Sequence, residues 1–540
     1  MKKVTLATGA LIGGLVGIVL ITLLYLGNQA FGLPFVPFDL WNWQARVIPR
    51  NLLSLAVAGI GGTLAKLVGA SESVWGQAAE RIAALVIPVL LLALFGLLIT
   101  WVKRLIRRPG QWVGAAGGAL VFALAAALEL SVGLGNPVPA LLGLAVLFIG
   151  WGAAIGFVIE GELFTSVTSE TDVERREGLA QLIRVVAGAS LASWALGRIA
   201  GGGRRESGAD QPLAGVTPAP TPEPAAETER TPPPQAEAVP VGDDGRIVPV
   251  PGTREEITPR GEFYTVDIAA SPPTIDGETW RLNVSGHFDN ASNLTLNDLK
   301  AYPAHTQPIT LSCISNSVGG SAISSAYWIG LRAWDLMEGL GLSPDAAFIY
   351  LESADGFYET VPREILQDPQ TLFVYGMNER SLPRKHGYPL RIYIPNRFGM
   401  KQPKWIQSME AVAEDQGGYW TERGWSKKAI AKTTSVIDVV ATEEAHDGLV
   451  PVGGVAWAGA RGIAKVEVQV DGGSWAEAVL RTPPLGPLTW VQWRYEWPAT
   501  QGDHILTVRA TDGAGTLQTA EETPVSPDGA TGYHSVETTI

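Results

Sequence analysis

Five apolar runs, each about as long as a bilayer is thick, fill the first 200 residues and decide most of what this chain can become. A helical span needs about 20 predominantly apolar residues. Runs of that kind cover 5–26, 82–102, 112–132, 138–159 and 179–199. A further stretch, 51–69, is apolar but Gly-rich and broken by Lys66, and reads as an interfacial or re-entrant helix. Backbone amides have no water to bond in hydrocarbon, so such runs fold as helices packed on one another. Residues 1–200 are therefore expected to form an α-helical membrane bundle.

Basic residues orient such a bundle. Lys2 and Lys3 precede the first run, Lys103, Arg104, Arg107 and Arg108 follow the second, and Arg175 and Arg176 precede the fifth. With five spans all three clusters face the cytoplasm, and the chain leaves the fifth outside it. Were 51–69 also to cross, the 103–108 loop would face outward. Arg175-Arg176 and the mildly apolar stretch after it also resemble an internal twin-arginine export signal, a route for folded, cofactor-loaded proteins. A plain positive flank is the competing reading. A transport role is disfavoured, because the ionisable side chains in the spans are mainly Glu129 and Glu160, near span ends.

Composition changes after residue 200. Residues 201–255 are rich in Pro, Ala, Glu and Thr and lack aromatics. They read as an extended, disordered linker that cannot bury enough apolar surface to offset its ordering entropy. The formal net charge of −13 argues against a nucleic-acid partner. The single cysteine, Cys313, excludes an intrachain disulfide, a Cys-rich zinc site and an iron–sulfur cluster. None of the six histidines lies in the apolar half, so this chain offers no bis-histidine haem site there. A C-x-x-C-H haem motif is absent too.

Residues 256–430 mix short strands with short helices. TWRLNVSG (279–286) alternates like a strand, YPLRIYIP (388–395) is β-branched and aromatic, and LRAWDLMEGLG (331–341) has helical spacing with a glycine stop. An α+β domain follows. Its most informative piece is ITLSCISNSVGG (309–320), an apolar strand that delivers Cys313 into a polar, Gly-ending loop. A lone cysteine is usually a small buried hydrophobe. At a strand exit beside Ser and Asn it is placed to meet a ligand, and a soft thiolate suits a metal.

LSCISNSVGGSAISSAYWIGLRAWDLM, followed by FVYGMNERSLPRKHGYPLRIYIPNRFGMKQPKWIQSMEAV (373–412), resembles the sulfite-oxidase family of molybdopterin-dependent oxidoreductases. With the apolar half, the chain looks most similar to a membrane-anchored bacterial branch of that family. The resemblance covers roughly 262–540. It implies a Mo-molybdopterin cofactor with one molybdenum, and Cys313 as the protein ligand to the metal. His386 and Arg391 of the H-G-x-P-x-R motif would bind the cofactor, as would Gln402, Pro403 and Lys404, with Lys401 beside them. Asp355 matches a cofactor-binding aspartate, and Phe263, Tyr264, Thr265, Val266 and Asp267 match the family's first cofactor-contacting strand.

Taken singly, each of these side chains has a plainer reading as a turn, strand or surface residue. Their order after Cys313 favours the site. Two positions depart from the family. Thr265 stands where sulfite oxidases place a substrate-holding arginine, and Trp425 where they place a tyrosine. An indole N–H donates a hydrogen bond but does not ionise like a phenol. Cofactor binding therefore carries over, and sulfite as the substrate does not.

Residues 431–540 carry several short alternating strands and a turn at Asp471-Gly472-Gly473, which predicts an immunoglobulin-like β-sandwich. Trp457, Trp475, Trp490 and Trp493 are expected in its core. In the family the equivalent domain often mediates dimerisation, which implies a homodimer.

The expected protein is thus a membrane-embedded, extracytoplasmic oxidoreductase. It would exchange an oxygen atom and two electrons with a small-molecule substrate and pass electrons to an external carrier, a cytochrome or another redox protein. Reduction of a sulfoxide or oxyanion on the same cofactor is the alternative chemistry. A cofactor-free binding module on a membrane stalk is the alternative from another class.

Overall fold

The structure is a computed structural model. It describes residues 5–31, 33–37, 40, 72–106, 108–132, 137–160, 172–203, 208–213, 239–268 and 272–540. The chain divides into two compact units, Met1–Arg205 and Glu206–Ile540.

The first unit holds the helices Leu6–Phe31, Glu72–Leu105, Gly110–Val132, Pro137–Glu160 and Asp172–Gly203. Each contains a segment long and apolar enough, by length and composition, to cross a membrane. The stretch 51–69 lies outside the described residues. In lipid there is little hydrophobic drive between helices, so close backbone packing at small residues has to hold them. Gly110, Gly114 and Gly118 lie against Gly152, Gly156 and the Phe148 carbonyl. A methyl group on Gly114 would stand 2.0 Å from the Gly152 carbonyl oxygen. Gly9 and Gly13 meet Gly96 in the same way. The Glu160 carboxylate pairs with Lys103 and accepts the Gly110 N–H, tying together the ends of three helices.

The second unit begins earlier than composition suggested. The linker was expected to run unfolded to residue 255, but 239–255 is packed. Val239 and Ile247 bury against Val479. Arg246 pairs with Glu256 at 2.7 Å, and Arg481 reaches Glu256 at 3.3 Å. Composition hid this because the apolar residues of the segment are few and their partners lie more than 200 positions away. Asp210, too, pairs with Arg380 at 2.8 Å.

Two sheets frame the next part. One has the order β2-β1-β10-β5-β6, built from β1 (Leu282–Gly286), β2 (Asn293–Leu294), β5 (Phe348–Ser353), β6 (Tyr358–Pro362) and β10 (Ile406–Val412). β1 and β10 run parallel and the other pairs antiparallel. The second is antiparallel, β3-β4-β7-β8 with β9 also on β7. Its strands are β3 (His305–Ser312), β4 (Ile323–Arg332), β7 (Leu372–Met377), β8 (Arg380–Ser381) and β9 (Arg391–Tyr393). Leu282, Ile349 and Met409 from the first sheet share one core with Leu311, Ile329 and Phe373 from the second. Short helices, Leu296–Lys300 and Ala333–Gly339 among them, close its edges; Thr295 caps the former with a capping box. The segment 264–267, expected as a strand, is irregular and is pinned by the Tyr264 N–H donating to Ser324 Oγ at 3.1 Å.

The C-terminal part is a sandwich of two antiparallel sheets. β11 (Thr434–Val440), β12 (Leu449–Trp457), β16 (Val491–Pro498) and β15 (Val479–Leu480) form one. β14 (Ala476–Glu477), β13 (Ile463–Val470), β17 (Asp503–Asp512) and β18 (His534–Thr539) form the other. Val452, Trp493 and Tyr495 meet Val466, Val468, Leu506 and Val508 between them. This agrees with the immunoglobulin-like sandwich expected.

Of the four tryptophans placed in its core, Trp493 is there. Trp457 and Trp490 instead join a second cluster with Ile314, Phe398 and Met400 from the preceding part. Trp475 is half-buried beneath the Arg509 guanidinium, 4.1 Å from it. β16 is buried on both faces, because residues 239–256 cover its outer side. There Gln492 donates to the Arg254 carbonyl and Trp490 to the Glu256 carbonyl.

Candidate cofactor site

Cys313 follows directly on β3, at the closed end of the β3–β4 hairpin. Its N–H donates to the Ala322 carbonyl at 2.9 Å, and its own carbonyl accepts the Asn316 N–H at 3.1 Å. Asn316 Oδ1 returns to the Ala322 N–H at 2.9 Å. This ring of bonds fixes the loop, and the thiol is buried with Sγ 3.0 Å from Ser315 Oγ. Burial pushes the thiol above its usual range, partly offset by Ser315. A bound metal would reverse that, since a coordinating thiol is deprotonated outright. The far side of the loop is held from the sandwich. Arg254 pairs with Asp438 at 3.0 Å and donates to the Gly320 carbonyl at 3.3 Å, and the His534 ring lies on Gly319.

Tyr264 faces the same place. A methyl group on Gly399 would touch the Tyr264 hydroxyl at 3.0 Å and the Ser312 carbonyl at 3.6 Å. Burial holds the Tyr264 phenol well above its usual range. The neighbouring Cys313 adds to that effect, while Arg391 opposes it.

His386 and Arg391 come together through a turn that only glycine permits. Gly387 has φ +106°, and a Cβ there would lie 3.0 Å from Lys404 Cβ and 3.1 Å from Arg391 Cβ. Arg391 donates to the His386 carbonyl at 3.2 Å and stacks on Trp328 at 4.8 Å. His386 meets the edge of Phe263 at 5.2 Å. Both side chains are buried, yet among the described residues His386 Nε2 and Arg391 Nε have no hydrogen-bond partner. Burial depresses His386 to about 3, with Arg391 adding to the effect, so the ring is neutral. Burial also lowers Arg391 to about 10.

Lys404 ion-pairs with Asp267, donates to the Lys385 carbonyl at 3.2 Å and sits 4.4 Å over the Trp405 ring. Burial lowers its ammonium to about 7. Gln402 donates to the carbonyls of Ile394 (3.2 Å) and Arg397 (3.1 Å), and its buried Oε1 has no partner among the described residues. Asp355 occupies the turn after β5, where it accepts the Phe357 N–H at 3.1 Å. The Ala354 N–H beside it donates to the Trp405 carbonyl. Burial raises Asp355 to about 7.

The remaining expected residues stand apart. Lys401 gives its ammonium to Glu359 at 2.9 Å and to Thr421 at 3.2 Å. Thr265 is exposed. Trp425 is half-buried and packs with Trp420 on the cluster that contains Ile314. Sequence reading missed Ser324, Glu359 and His534, none of which carries a local signal.

The arrangement fits a group with anionic and hydrogen-bond-accepting edges. Among the described residues the buried Arg391 guanidinium has no ion-pair partner, His386 Nε2 and Arg391 Nε have no hydrogen-bond partner, the Lys404 ammonium is paired with Asp267 alone, and a lone thiol lies close by.

Residues 269–420 match the family model described as the oxidoreductase molybdopterin binding domain. Rat (Rattus norvegicus) mitochondrial sulfite oxidase is 28% identical over 324 residues, 51% of this chain and 59% of that protein. The chain thus spans about three fifths of the length of the sulfite oxidase it matches. An uncharacterised oxidoreductase of Bacillus subtilis, YuiH, is 27% identical over 33% of this chain and 85% of its own length. Among solved structures, the sulfane dehydrogenase SoxCD of Paracoccus pantotrophus aligns with a TM-score of 0.48 and 18% identity, covering 60% of this chain and 95% of that one.

Proposed function

We propose that this chain, whose residues 269–420 form a molybdopterin-binding oxidoreductase domain of the sulfite-oxidase type, is a membrane-anchored enzyme with Cys313 as the protein ligand to one molybdenum. The observation that carries the reading is the pair of buried nitrogens, His386 Nε2 and Arg391 Nε, that have no partner among the described residues and lie near Tyr264 and Cys313. Arg391 and Lys404 would hold the phosphate-bearing cofactor by charge. His386, Gln402 and Asp355 would hold its hydrogen-bonding edges, and Asp267 would keep Lys404 aimed. When bound, the group supplies a two-electron couple and a place for oxygen-atom exchange.

The chain's own residues set the conditions around it. His386 is neutral, so it offers a proton or a lone pair without adding charge. Tyr264 keeps its phenolic proton at neutral pH and donates from it. Trp425, on the cluster that contains Ile314, would offer an indole N–H as a donor. Thr265 brings no charge to grip an anion, which supports a substrate other than sulfite and leaves reduction of a sulfoxide or oxyanion as the second reading.

The five apolar helices and the placement of Lys103, Arg104 and Arg108 support a multi-pass anchor with the second unit outside the cytoplasm. Electrons would pass to an external one-electron carrier, and a second copy of the chain would pair through the C-terminal sandwich.

Elemental analysis of protein from a molybdopterin-producing host tests the core of this. About one molybdenum per chain is expected, followed by turnover of one member of a panel of sulfite, sulfoxides and oxyanions, assayed in both directions. Folded protein without metal from that host would overturn the reading.

A further inference from the structure

A line of oxidisable rings runs from the neighbourhood of Cys313 to the outer face of the first sheet. Trp425 packs on the cluster of Ile314, the residue after Cys313. From there the ring centroids step to Trp420 (6.1 Å), Tyr419 (5.2 Å), Tyr358 (5.9 Å) and Tyr350 (6.1 Å). Tyr350 is half-buried on β5, in register with Glu410 of β10. Aromatic clusters ordinarily serve packing, and two features of this one exceed packing. Every ring in the line is Trp or Tyr, and Phe357 only branches from it at Tyr419. Each outer phenol also faces a carboxylate: Tyr358 donates to Glu422 at 2.5 Å, and Tyr350 to Glu352 at 3.4 Å. Losing an electron makes a phenol strongly acidic, so tyrosine oxidation needs a proton acceptor already in place. Packing does not require one.

We propose that Trp425, Trp420, Tyr419, Tyr358 and Tyr350 form a one-electron relay between the cofactor site and the sheet surface. Its role in turnover rests on the oxidoreductase reading above. One electron leaves toward an external one-electron acceptor, which is reduced by one. When Tyr358 is the oxidised station, its electron goes outward and its proton goes to Glu422. Both return when the next electron arrives from the inner rings. That O–H is the one bond broken and remade. Arg423 stacks on Tyr419, 3.4 Å from its centroid, and the cation disfavours a positive charge resting there. Tyr419 is therefore a bridge and Tyr358 a station.

The relay is tested on the full chain, with or without cofactor. Cys313 is the single native cysteine and is buried. A Glu410→Cys variant, at the exposed β10 position in register with Tyr350, therefore takes a ruthenium bipyridyl photosensitiser beside Tyr350 and leaves Glu352 in place. Flash oxidation of the label should produce tryptophan radical absorption. Tyr358→Phe, which keeps the ring, should lower that yield by about tenfold, and Glu422→Gln should slow its appearance. No tryptophan radical in the parent, or an equal yield in Tyr358→Phe, overturns the relay whether or not the chain binds a metal. In loaded enzyme, Tyr358→Phe should slow turnover with a protein acceptor and leave reduction of the cofactor by substrate unchanged. Unchanged turnover would remove its catalytic role.

Discussion

Lys401 and Glu359 form a buried ion pair, Nζ to Oε1 2.9 Å, on the flank of the candidate site. Glu359 is 2% exposed, and its second oxygen, Oε2, has no partner among the described residues. Removing one member of such a pair strands the other charge, which typically costs about 3–5 kcal/mol, while replacing both with apolar residues of similar size is near neutral. Glu359→Ala should lower the unfolding temperature of the second unit sharply. Glu359→Met with Lys401→Met should recover most of it. Scanning calorimetry of the detergent-solubilised chain reads both, and an equal loss in the double variant would assign Lys401 a role beyond this pair.

Stability should fall as pH rises from about 4 to 7 on account of Asp355. Burial raises its folded value from 3.8 to about 7. Between those values the folded state holds a proton that the unfolded state has released, so rising pH favours unfolding. Asp355→Asn keeps the acceptor for the Phe357 N–H and removes the titration. Its advantage over the parent should be absent near pH 4 and reach about 4 kcal/mol by pH 7.5. His386 acts oppositely: its value, depressed from 6.5 to about 3, makes stability rise with pH across that window. The parent-minus-variant difference isolates Asp355 from it.

Cys313→Ser should reduce turnover to background while circular dichroism and unfolding temperature stay close to the parent. The loop is held by Asn316, Ala322 and Arg254 rather than by the sulfur. A fully active serine variant would contradict the ligand assignment.

Arg391→Lys keeps the charge and loses the fork. The free Nε and the stack on Trp328 both need a planar guanidinium. Molybdenum retained after dialysis should drop, corresponding to about tenfold weaker cofactor binding. Equal retention would show that Arg391 contributes charge alone.

Gly319→Ala should be strongly destabilising for two reasons that a double variant separates. Its φ is +76°, and an added Cβ would lie 2.3–2.4 Å from the His534 ring. With His534→Ala the clash disappears and only the backbone strain of about 1–2 kcal/mol remains. Thermal unfolding of the four proteins completes the cycle, and additive losses would refute the contact.

What the sequence revealed about the site was what lies close together along it. Cys313 announced itself by the strand before it and the polar loop after it, and His386, Gly387 and Arg391 by a spacing that the tight turn requires. The five candidate spans were equally legible, because length and apolarity alone define them. Glu359 was hidden, since nothing in YETVP marks a glutamate whose partner comes 42 positions later. Ser324 and His534 were hidden for the same reason. Residues 239–255 were misread because average composition outweighed three buried apolar side chains, Val239, Ile247 and Val250, and two well-partnered arginines. Trp457 and Trp490 were placed in the wrong core because alternation along a strand says which side a residue faces, not what lies on that side.

The cover that residues 239–256 lay over β16 sets where this protein can be cut. A soluble fragment begun at residue 256 would follow the boundary that composition draws, and it would uncover one whole face of the sandwich. Gln492 and Arg494 would lose the carbonyls of Arg254 and Val248. Asp438 would lose Arg254, and with it one brace of the cysteine loop. A fragment begun at Gly208 keeps those bonds and the Asp210–Arg380 pair as well. The natural place to sever the catalytic body from its helices is therefore upstream of the proline-rich stretch, not at its end.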